Sequence, residues 1–460
     1  MSNTIALILA AGKGTRMKSE IPKVLHKAAG KYMLAHVVDG CTEAGVSQVY
    51  AIVGHKKEMI MEAMGSEINY ISQDQQLGTG HALMVSKEFL PNDDTNVLVL
   101  VGDAPLIDGN TLSKMMENHE SGGNSATVLT AMMQNPTGYG RIVKDNNGNL
   151  SRIVEQKDGT DEELKINEIN SGMYCFNSGD LIKSLDKLGN DNAQQEYYLT
   201  DVIEIMNKDG LKTGTFITDV ENIKAVNSRV ELAQVEKILR RRINEHHMEN
   251  GVTIIDPDAT YINKEVTIGR DTVIYPGCIL EGETQIGSGC TILERSKITD
   301  CKIADGVTIQ TSILVGSSVG EYSKIGPYAY IRPDCKIGKN AKIGDFVEMK
   351  NARFGDGSKA SHLTYVGDAY VGKNVNLGCG VVFVNYDGKE KHITVVEDDV
   401  FVGCNTNLVS PVTVREGSYI AAGSTITEEV PKDSLAIARS RQVTKENYYK
   451  THDRKKVDEK

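Results

Sequence analysis

Beyond Gly251, apolar residues recur at every sixth position. Ile262, Ile268, Ile274, Leu280, Ile286, Ile292 and Ile298 form a first run. After slips come Val319, Ile325, Ile331, Ile337, Ile343 and Met349, and later Val396, Val402, Leu408, Val414, Ile420 and Ile426. Neither a helix nor an ordinary strand has that period. Many of these residues precede glycine, as in Ile268-Gly269, Ile325-Gly326, Ile343-Gly344 and Val402-Gly403. One such repeat cannot bury its apolar residue alone and must stack on its neighbours, so the pattern predicts a parallel β-helix from about 251 to 435.

Upstream, to about residue 228, short apolar runs alternate with helix-like stretches. The runs are "IALILA" (5 to 10), "VYAIV" (49 to 53), "NVLVLV" (96 to 101), "SATVLTA" (125 to 131) and "GMYCF" (172 to 176). Continuous runs bounded by Gly and Asp read as strands buried on both faces of a mostly parallel sheet, giving a three-layer, Rossmann-like α/β domain. Arg229 to Asn250 lacks Gly and Pro until Gly251 stops it, and spaces Val230, Ala233, Ile238 and Ile243 among charges. That predicts one exposed linker helix, with Arg240-Arg241-Arg242 as a solvated face rather than an anion site. The expected division is 1–228, 229–250 and 251–460, with a charged tail from Ser440 expected to be mobile past Tyr449.

Composition narrows the function. A net charge of -11 and a pI near 5.5 exclude a general nucleic-acid binder, so any anionic ligand must meet a local cationic cluster. The eight cysteines (41, 175, 278, 290, 301, 335, 379 and 404) contain no C-x-x-C pair and read as reduced thiols of the cytoplasm. Ile5 to Ala11 is too short to span a bilayer, and no basic segment precedes it, so neither membrane insertion nor export is expected.

The stretch "IALILAAGKGTRMKSEIPK", Ile5 to Lys23, carries a glycine loop. It is not a dinucleotide fingerprint, because Met17 stands where the third glycine should be, and "GKGT" does not satisfy a P-loop. What remains is a strand ending in Ala10 and Ala11, then Gly12 and Gly14 among Lys13, Thr15 and Arg16, with Lys23 after Pro22. Small residues admit a flat ring, glycine N–H groups face phosphate oxygens, and the cations neutralise them. A nucleoside triphosphate fits this better than a ligand-free basic turn. Asp103, in "VLVLVGDAPL", falls at the carboxyl end of an apolar strand, where ligands of open α/β sheets gather.

Ala10 to Met17 with Pro22-Lys23 resembles the A-A-G-x-G-T-R-[LM] signature and following P-K of the sugar nucleotidyltransferase (pyrophosphorylase) family. The repeats resemble the hexapeptide family, in which three repeats make a triangular coil of about 18 residues wound left-handed. Taken together the resemblance spans essentially the whole chain and is to the bacterial bifunctional N-acetylglucosamine-1-phosphate uridylyltransferase/glucosamine-1-phosphate N-acetyltransferases. It implies UTP as the nucleotide, seated by Leu9, Ala10, Ala11 and Gly12, with Gln73, Gly78 and Thr79 reading the uracil. It implies Gly140, Glu155 and Asn170 on N-acetylglucosamine, and Mg²⁺ held by Asp103 and Asn227. Arg16 and Lys23 are the candidates for neutralising the leaving and attacking phosphates.

A β-helix can be a mere trimerising scaffold, so its catalytic role needs its own signal. Carbonic anhydrase chemistry would need three zinc-binding histidines, and only His362 and His392 lie between Gly251 and Val430. Arg332 and Lys350 follow Ile331 and Met349 in unbroken register, one coil apart, and stacked like charges call for an anion such as a sugar phosphate. The repeat breaks at "SKASHLTYVG", placing His362 and Tyr365 beside that pair; imidazole suits the base that an acetyl transfer to an amine requires. A second break, "FVNYDGKEKHITV", inserts a loop. The resemblance puts sugar phosphate on Arg332, Lys350, Tyr365 and Asn376, and acetyl-CoA on Asn385, Tyr386, Cys404, Ala422 and Arg439. Cys379 stands where that family has Ala, at the position of a backbone oxyanion donor.

The expected activity is synthesis of UDP-N-acetylglucosamine in two steps. Acetyl-CoA acetylates glucosamine 1-phosphate, then UTP and N-acetylglucosamine 1-phosphate give the nucleotide sugar and pyrophosphate. The alternatives are a monofunctional sugar nucleotidyltransferase with a structural β-helix, and a non-catalytic regulatory subunit. A pocket deep enough for CoA is more easily built between prisms, so a homotrimer is expected.

Overall fold

The computed structural model describes residues 3–448, so the expected mobile tail past Tyr449 lies outside the described residues. The chain divides into two compact units between Arg242 and Ile243.

The first unit is built on one sheet. Its strands are β1 (Thr4–Ala10), β2 (Gln48–Val53), β3 (Asn69–Ser72), β4 (Asn96–Val101), β5 (Ala126–Met132), β6 (Arg141–Lys144), β7 (Leu150–Val154), β8 (Glu168–Asn177) and β9 (Thr213–Ile217). The order is β9-β5-β8-β4-β1-β2-β3, with the β6–β7 hairpin attached to β8. Only β8 runs against its neighbours β4 and β5 along that path. Successive residues of β1 serve opposite faces: Ala6 and Ile8 join one buried cluster, Ile5 and Leu7 the other. The sheet is therefore covered on both sides, and its central strands read as unbroken apolar runs for that reason. The five sequence-legible runs became β1, β2, β4, β5 and β8. The more polar, half-exposed β3 and β9 at the sheet edges carried no such signal.

A helix, Arg229–Glu249, crosses the division. Ser228 caps it, accepting from Glu231 N–H at its Oγ (3.2 Å), and the Glu231 carboxylate reaches back to accept from Asn227 N–H (2.6 Å). The expectation of an exposed helix is corrected here. Val230 is 68% exposed and Ala233 also faces solvent, whereas Val235 and Leu239 are buried, so the helix is not simply exposed. Its basic run is tied down as well: Arg241 pairs with Glu221 (2.7 Å), and Arg242 donates to Leu106 O and Asn222 Oδ1 (both 2.8 Å).

The second unit is a left-handed parallel β-helix. One face is a ladder of eleven short strands, and a seventeen-stranded sheet winds over the rest. The six-period residues form its interior, a continuous core from Val252 to Val430 that includes Cys278, Cys290, Cys301 and Cys335. Register runs mostly 17 or 18 residues per coil, as in Ile274↔Ile292 and Ile343↔Ala360. Buried Ser and Thr hydroxyls at the corners bond backbone carbonyls that the turns leave over, as Thr272 Oγ1 does to Gly287 O (2.8 Å).

Candidate active sites

At the carboxyl ends of β1 and β4 lies a cavity of about 320 Å³. Leu9, Ala10, Ala11, Gly12, Lys23, Gln73, Gly78, Thr79 and Asp103 all line it, and Gln76 and Glu196 join them without having been foreseen. The buried Gln73 amide donates to Gly78 O (3.1 Å), so the side chain is held by the loop beside it. Gly78 has φ 113°, and a Cβ there would stand 2.5 Å from Tyr197 O, so only glycine fits. The Lys23 ammonium pairs with Asp103 and donates to Asn227 Oδ1 (3.0 Å). Val226 N–H donates to Asp103 O (2.8 Å), fixing the Asn227 segment beside that carboxylate although 124 residues separate them (227 − 103). Arg16, by contrast, is exposed on a 3₁₀ turn and does not line the cavity.

Gly140, just before β6, Glu155, just after β7, and Asn170, within β8, converge. A Cβ on Gly140 would lie 3.5 Å from Asn170 Cβ and 3.6 Å from Glu155 Oε1. The Asn170 amide donates to the Tyr174 hydroxyl (2.8 Å) and its backbone N–H to Gly140 O (2.9 Å). Burial, reinforced by Asp158 and Asp201, raises the Glu155 carboxyl above the usual range. Burial also pushes Asp201 up to about 6.

The β-helix carries a second site along one corner. Ile343, Ala360, Leu377, Val402 and Ile420 lie in register on successive rungs. Two residues further on each rung stand Asp345, His362, Cys379, Cys404 and Ala422. Asn405 N–H donates to Cys379 O (2.7 Å) and Gly423 N–H to Cys404 O (2.8 Å), which continues the stacking through the corner. Arg439 lies against Gly423, next to Ala422. His362 is 58% exposed in its side chain, with Nδ1 2.5 Å from Asp345 Oδ1.

Arg332 and Lys350 sit on neighbouring rungs, set by the pairing of Ile331 with Met349. Arg332 also holds Glu348 (2.9 Å). The Lys350 ammonium is lowered chiefly by Lys391, then by burial and Arg332, so three cations share this patch, with Asp368 opposing. Lys391 is returned to the prism by the second break. There Tyr386 bridges Lys391 in an antiparallel turn and His392 N–H donates to Asn385 O (2.8 Å). The buried Asn385 amide reaches Asp368 Oδ2 (2.5 Å) and the Tyr365 hydroxyl (3.4 Å), while Tyr386 is exposed. Asn376 begins the rung that carries Cys379.

A family model described as "Nucleotidyl transferase" matches residues 5–222, and one described as "Bacterial transferase hexapeptide (six repeats)" matches 316–351. Curated relatives match over nearly full length. A "Bifunctional protein GlmU" of Clostridioides difficile (strain 630) is 55% identical, covering 98% of this chain and 99% of that protein. The chain belongs to the bifunctional GlmU family. GlmU proteins of Caldanaerobacter subterraneus subsp. tengcongensis (54% identical; 97% and 98% covered) and Clostridium tetani (55%; 98% and 99%) agree. As a GlmU-family member with a nucleotidyltransferase half, the chain is a transferase that requires a divalent metal. Sequence reasoning missed Lys391, Asp345 and Glu348. Lys391 is 41 residues from Lys350 and meets it only through the inserted turn, whereas Asp345, at 17 residues from His362, was within reach of the register argument. Among the described residues, no helix is long and apolar enough to cross a membrane.

Proposed function

We propose that the chain makes UDP-N-acetylglucosamine from glucosamine 1-phosphate, acetyl-CoA and UTP at these two sites. One observation carries the acetyl half: a histidine and a column of small residues ending at Arg439 line one corner of the prism, and a three-cation patch stands on the rungs that follow that corner. A structural scaffold has no use for that convergence, which favours the bifunctional reading over a monofunctional one. In acetyl transfer the amine lone pair forms the new C–N bond at the thioester carbonyl, and His362 Nε2 takes the amine proton. The C–S bond then breaks, and the imidazolium returns its proton to the thiolate. Arg332, Lys350 and Lys391 hold the sugar phosphate; Tyr365 and Asn376 orient the sugar; Asn385, Tyr386, Cys379, Cys404, Ala422 and Arg439 bind acetyl-CoA.

In uridylyl transfer a phosphate oxygen of N-acetylglucosamine 1-phosphate attacks the α-phosphorus of UTP and pyrophosphate leaves. Leu9 to Gly12, Gln73, Gly78 and Thr79 seat the nucleotide; Gly140, Glu155 and Asn170 seat the sugar. Lys23, which lines the cavity, neutralises the phosphates, and Arg16, on the exposed turn after Gly14, is the second cation assigned to them. We assign Mg²⁺ as the metal. Asp103 and Asn227 offer hard oxygens already converging on one cation, the Lys23 ammonium, and so fit it. When bound, Mg²⁺ supplies charge neutralisation for the triphosphate.

Exposed Tyr328, Phe346 and Leu363, all at positive φ on one corner beside His362, support a cyclic homotrimer with the acetyl sites at its interfaces. Cysteines within the prism core support residence in the reducing cytoplasm, away from membrane and nucleic acid. The test uses full-length variants. Asp103→Asn is expected to lose uridylyl transfer alone, and His362→Ala to lose acetyl-transfer kcat by about 10² to 10⁴-fold alone. Parallel loss of both activities in either variant refutes two separate sites.

A further inference from the structure

We infer that Asp345 and His362 work as a dyad in acetyl transfer, the Asp345 carboxylate fixing the imidazole tautomer and stabilising the charge the ring acquires. The inference rests on the reading of His362 as the base. Most rungs on this face of the prism are two residues long, but Lys342–Asp345 and Lys359–His362 are each four. The extension carries the pairing to Asp345↔His362 at the corner. Backbone bonds hold both ends: Leu363 N–H donates to Asp345 O (2.9 Å), and the Thr364 hydroxyl to His362 O (2.7 Å).

The carboxylate only accepts, so at 2.5 Å the hydrogen sits on His362 Nδ1 and Nε2 keeps its lone pair. The hydrogen bond from His362, with a contribution from Lys342, holds the Asp345 carboxyl below the usual range, which keeps it ionised while the base is working. When Nε2 takes the amine proton, the new positive charge lies against that carboxylate. The Asp345 and His362 side chains are 35% and 58% exposed, so water screens the pair and the effect is far smaller than in a buried dyad.

Asp345 is thus a positioning residue, acting through His362. Full-length Asp345→Ala is expected to lower acetyl-transfer kcat about tenfold, with KM for glucosamine 1-phosphate within about twofold of the parent. In protein labelled with ¹⁵N-histidine, with the His362 signal identified by its absence from His362→Ala, the same variant should populate the Nε2–H tautomer. Asp345→Asn, whose amide oxygen still accepts, should keep the Nδ1–H tautomer and retain an intermediate kcat; this also separates the role from any folding defect of the alanine variant. A normal kcat, an unchanged tautomer, or a loss confined to KM in Asp345→Ala overturns the dyad. If His362→Ala itself keeps kcat, the base reading falls and the dyad with it; if only His362→Ala is impaired, the dyad alone falls.

Discussion

In the first unit the two oxygens assigned to the metal both meet an amine. Lys23 Nζ pairs with Asp103 and lies 3.0 Å from Asn227 Oδ1, with the Lys23 and Asp103 side chains only 17% and 14% exposed. Asp103 and Asn227, if they hold a divalent cation, would have to share their oxygens between it and that ammonium, so the two would compete, and Lys23 would be left to meet the phosphates. Lys23→Met removes the competitor while keeping the apolar stem that packs against Gly14. A hydrogen bond to a charged group contributes roughly 1.5–3 kcal/mol, so the variant should bind Mn²⁺ about ten- to a hundredfold more tightly than the parent. Uridylyl transfer should fall at the same time, because the cation assigned to the phosphates is gone. The assay is titration of the full-length, nucleotide-free protein with Mn²⁺ followed by electron paramagnetic resonance, with Lys23→Met/Asp103→Asn as the control in which the gain disappears. Unchanged or weaker Mn²⁺ binding by Lys23→Met, or a gain that survives loss of Asp103, would refute the competition.

At the acetyl site, Arg332→Ala and Lys350→Ala should each raise KM for glucosamine 1-phosphate about tenfold, and the double variant by clearly less than a hundredfold, since Lys391 still serves the same phosphate; strict additivity in steady-state kinetics contradicts a shared clamp. Gly78→Ala forces a side chain into a φ 113° backbone 2.5 Å from Tyr197 O and should cost roughly 1–3 kcal/mol in UTP binding with acetyl transfer intact, read by calorimetry. Buried His119 is held down to about 4 from an ordinary 6.5, so the unfolded chain takes up its proton first as pH falls. The stability it contributes above pH 6.5 is therefore lost between 6.5 and 4, up to about 3 kcal/mol. Hydrogen-exchange protection of Gly109–Gly122 and Ala126–Met132 should drop over that interval and stay flatter in His119→Gln; identical profiles would remove His119 as the cause.

Which parts of this molecule were legible in its sequence follows from how far each interaction reaches. The β-helix was readable because every coil repeats one requirement, an inward apolar residue, and that requirement prints itself at a fixed spacing. The buried strands β1, β2, β4, β5 and β8 were readable because burial on both faces leaves a continuous apolar run. The Arg229–Glu249 helix was located, but it was read as exposed, whereas Val235 and Leu239 are buried. Isolated apolar residues on a highly charged helix do not reveal which side meets the protein. In the nucleotide site Ala10, Ala11, Gly12 and Lys23 of the motif fell around one cavity and Arg16 did not, whereas Gln76 and Glu196 reach it through loop geometry that no spacing encodes.

The acetyl site makes the same point from the other direction, because it exists where the repeat fails. A perfectly regular prism presents the same corner on every coil and so cannot hold a unique site. Along the corner that carries His362, the offsets between inward residues run 17, 17, 25 and 18 from Ile343 through Ala360, Leu377 and Val402 to Ile420. The two short coils accompany the lengthened strands that pair Asp345 with His362, and the long one contains the turn that brings Lys391 back to Lys350. Each departure from the repeat leaves the interior filled, since the inward residues on both sides of it remain in one core. The stacking therefore supplies rigidity, and irregularities confined to the outer surface supply the chemistry. On this view, moving Asp345 out of register with His362 would leave the prism folded and lower acetyl-transfer kcat about tenfold, as Asp345→Ala is expected to do, because the pair rests on corner register and not on the packed interior.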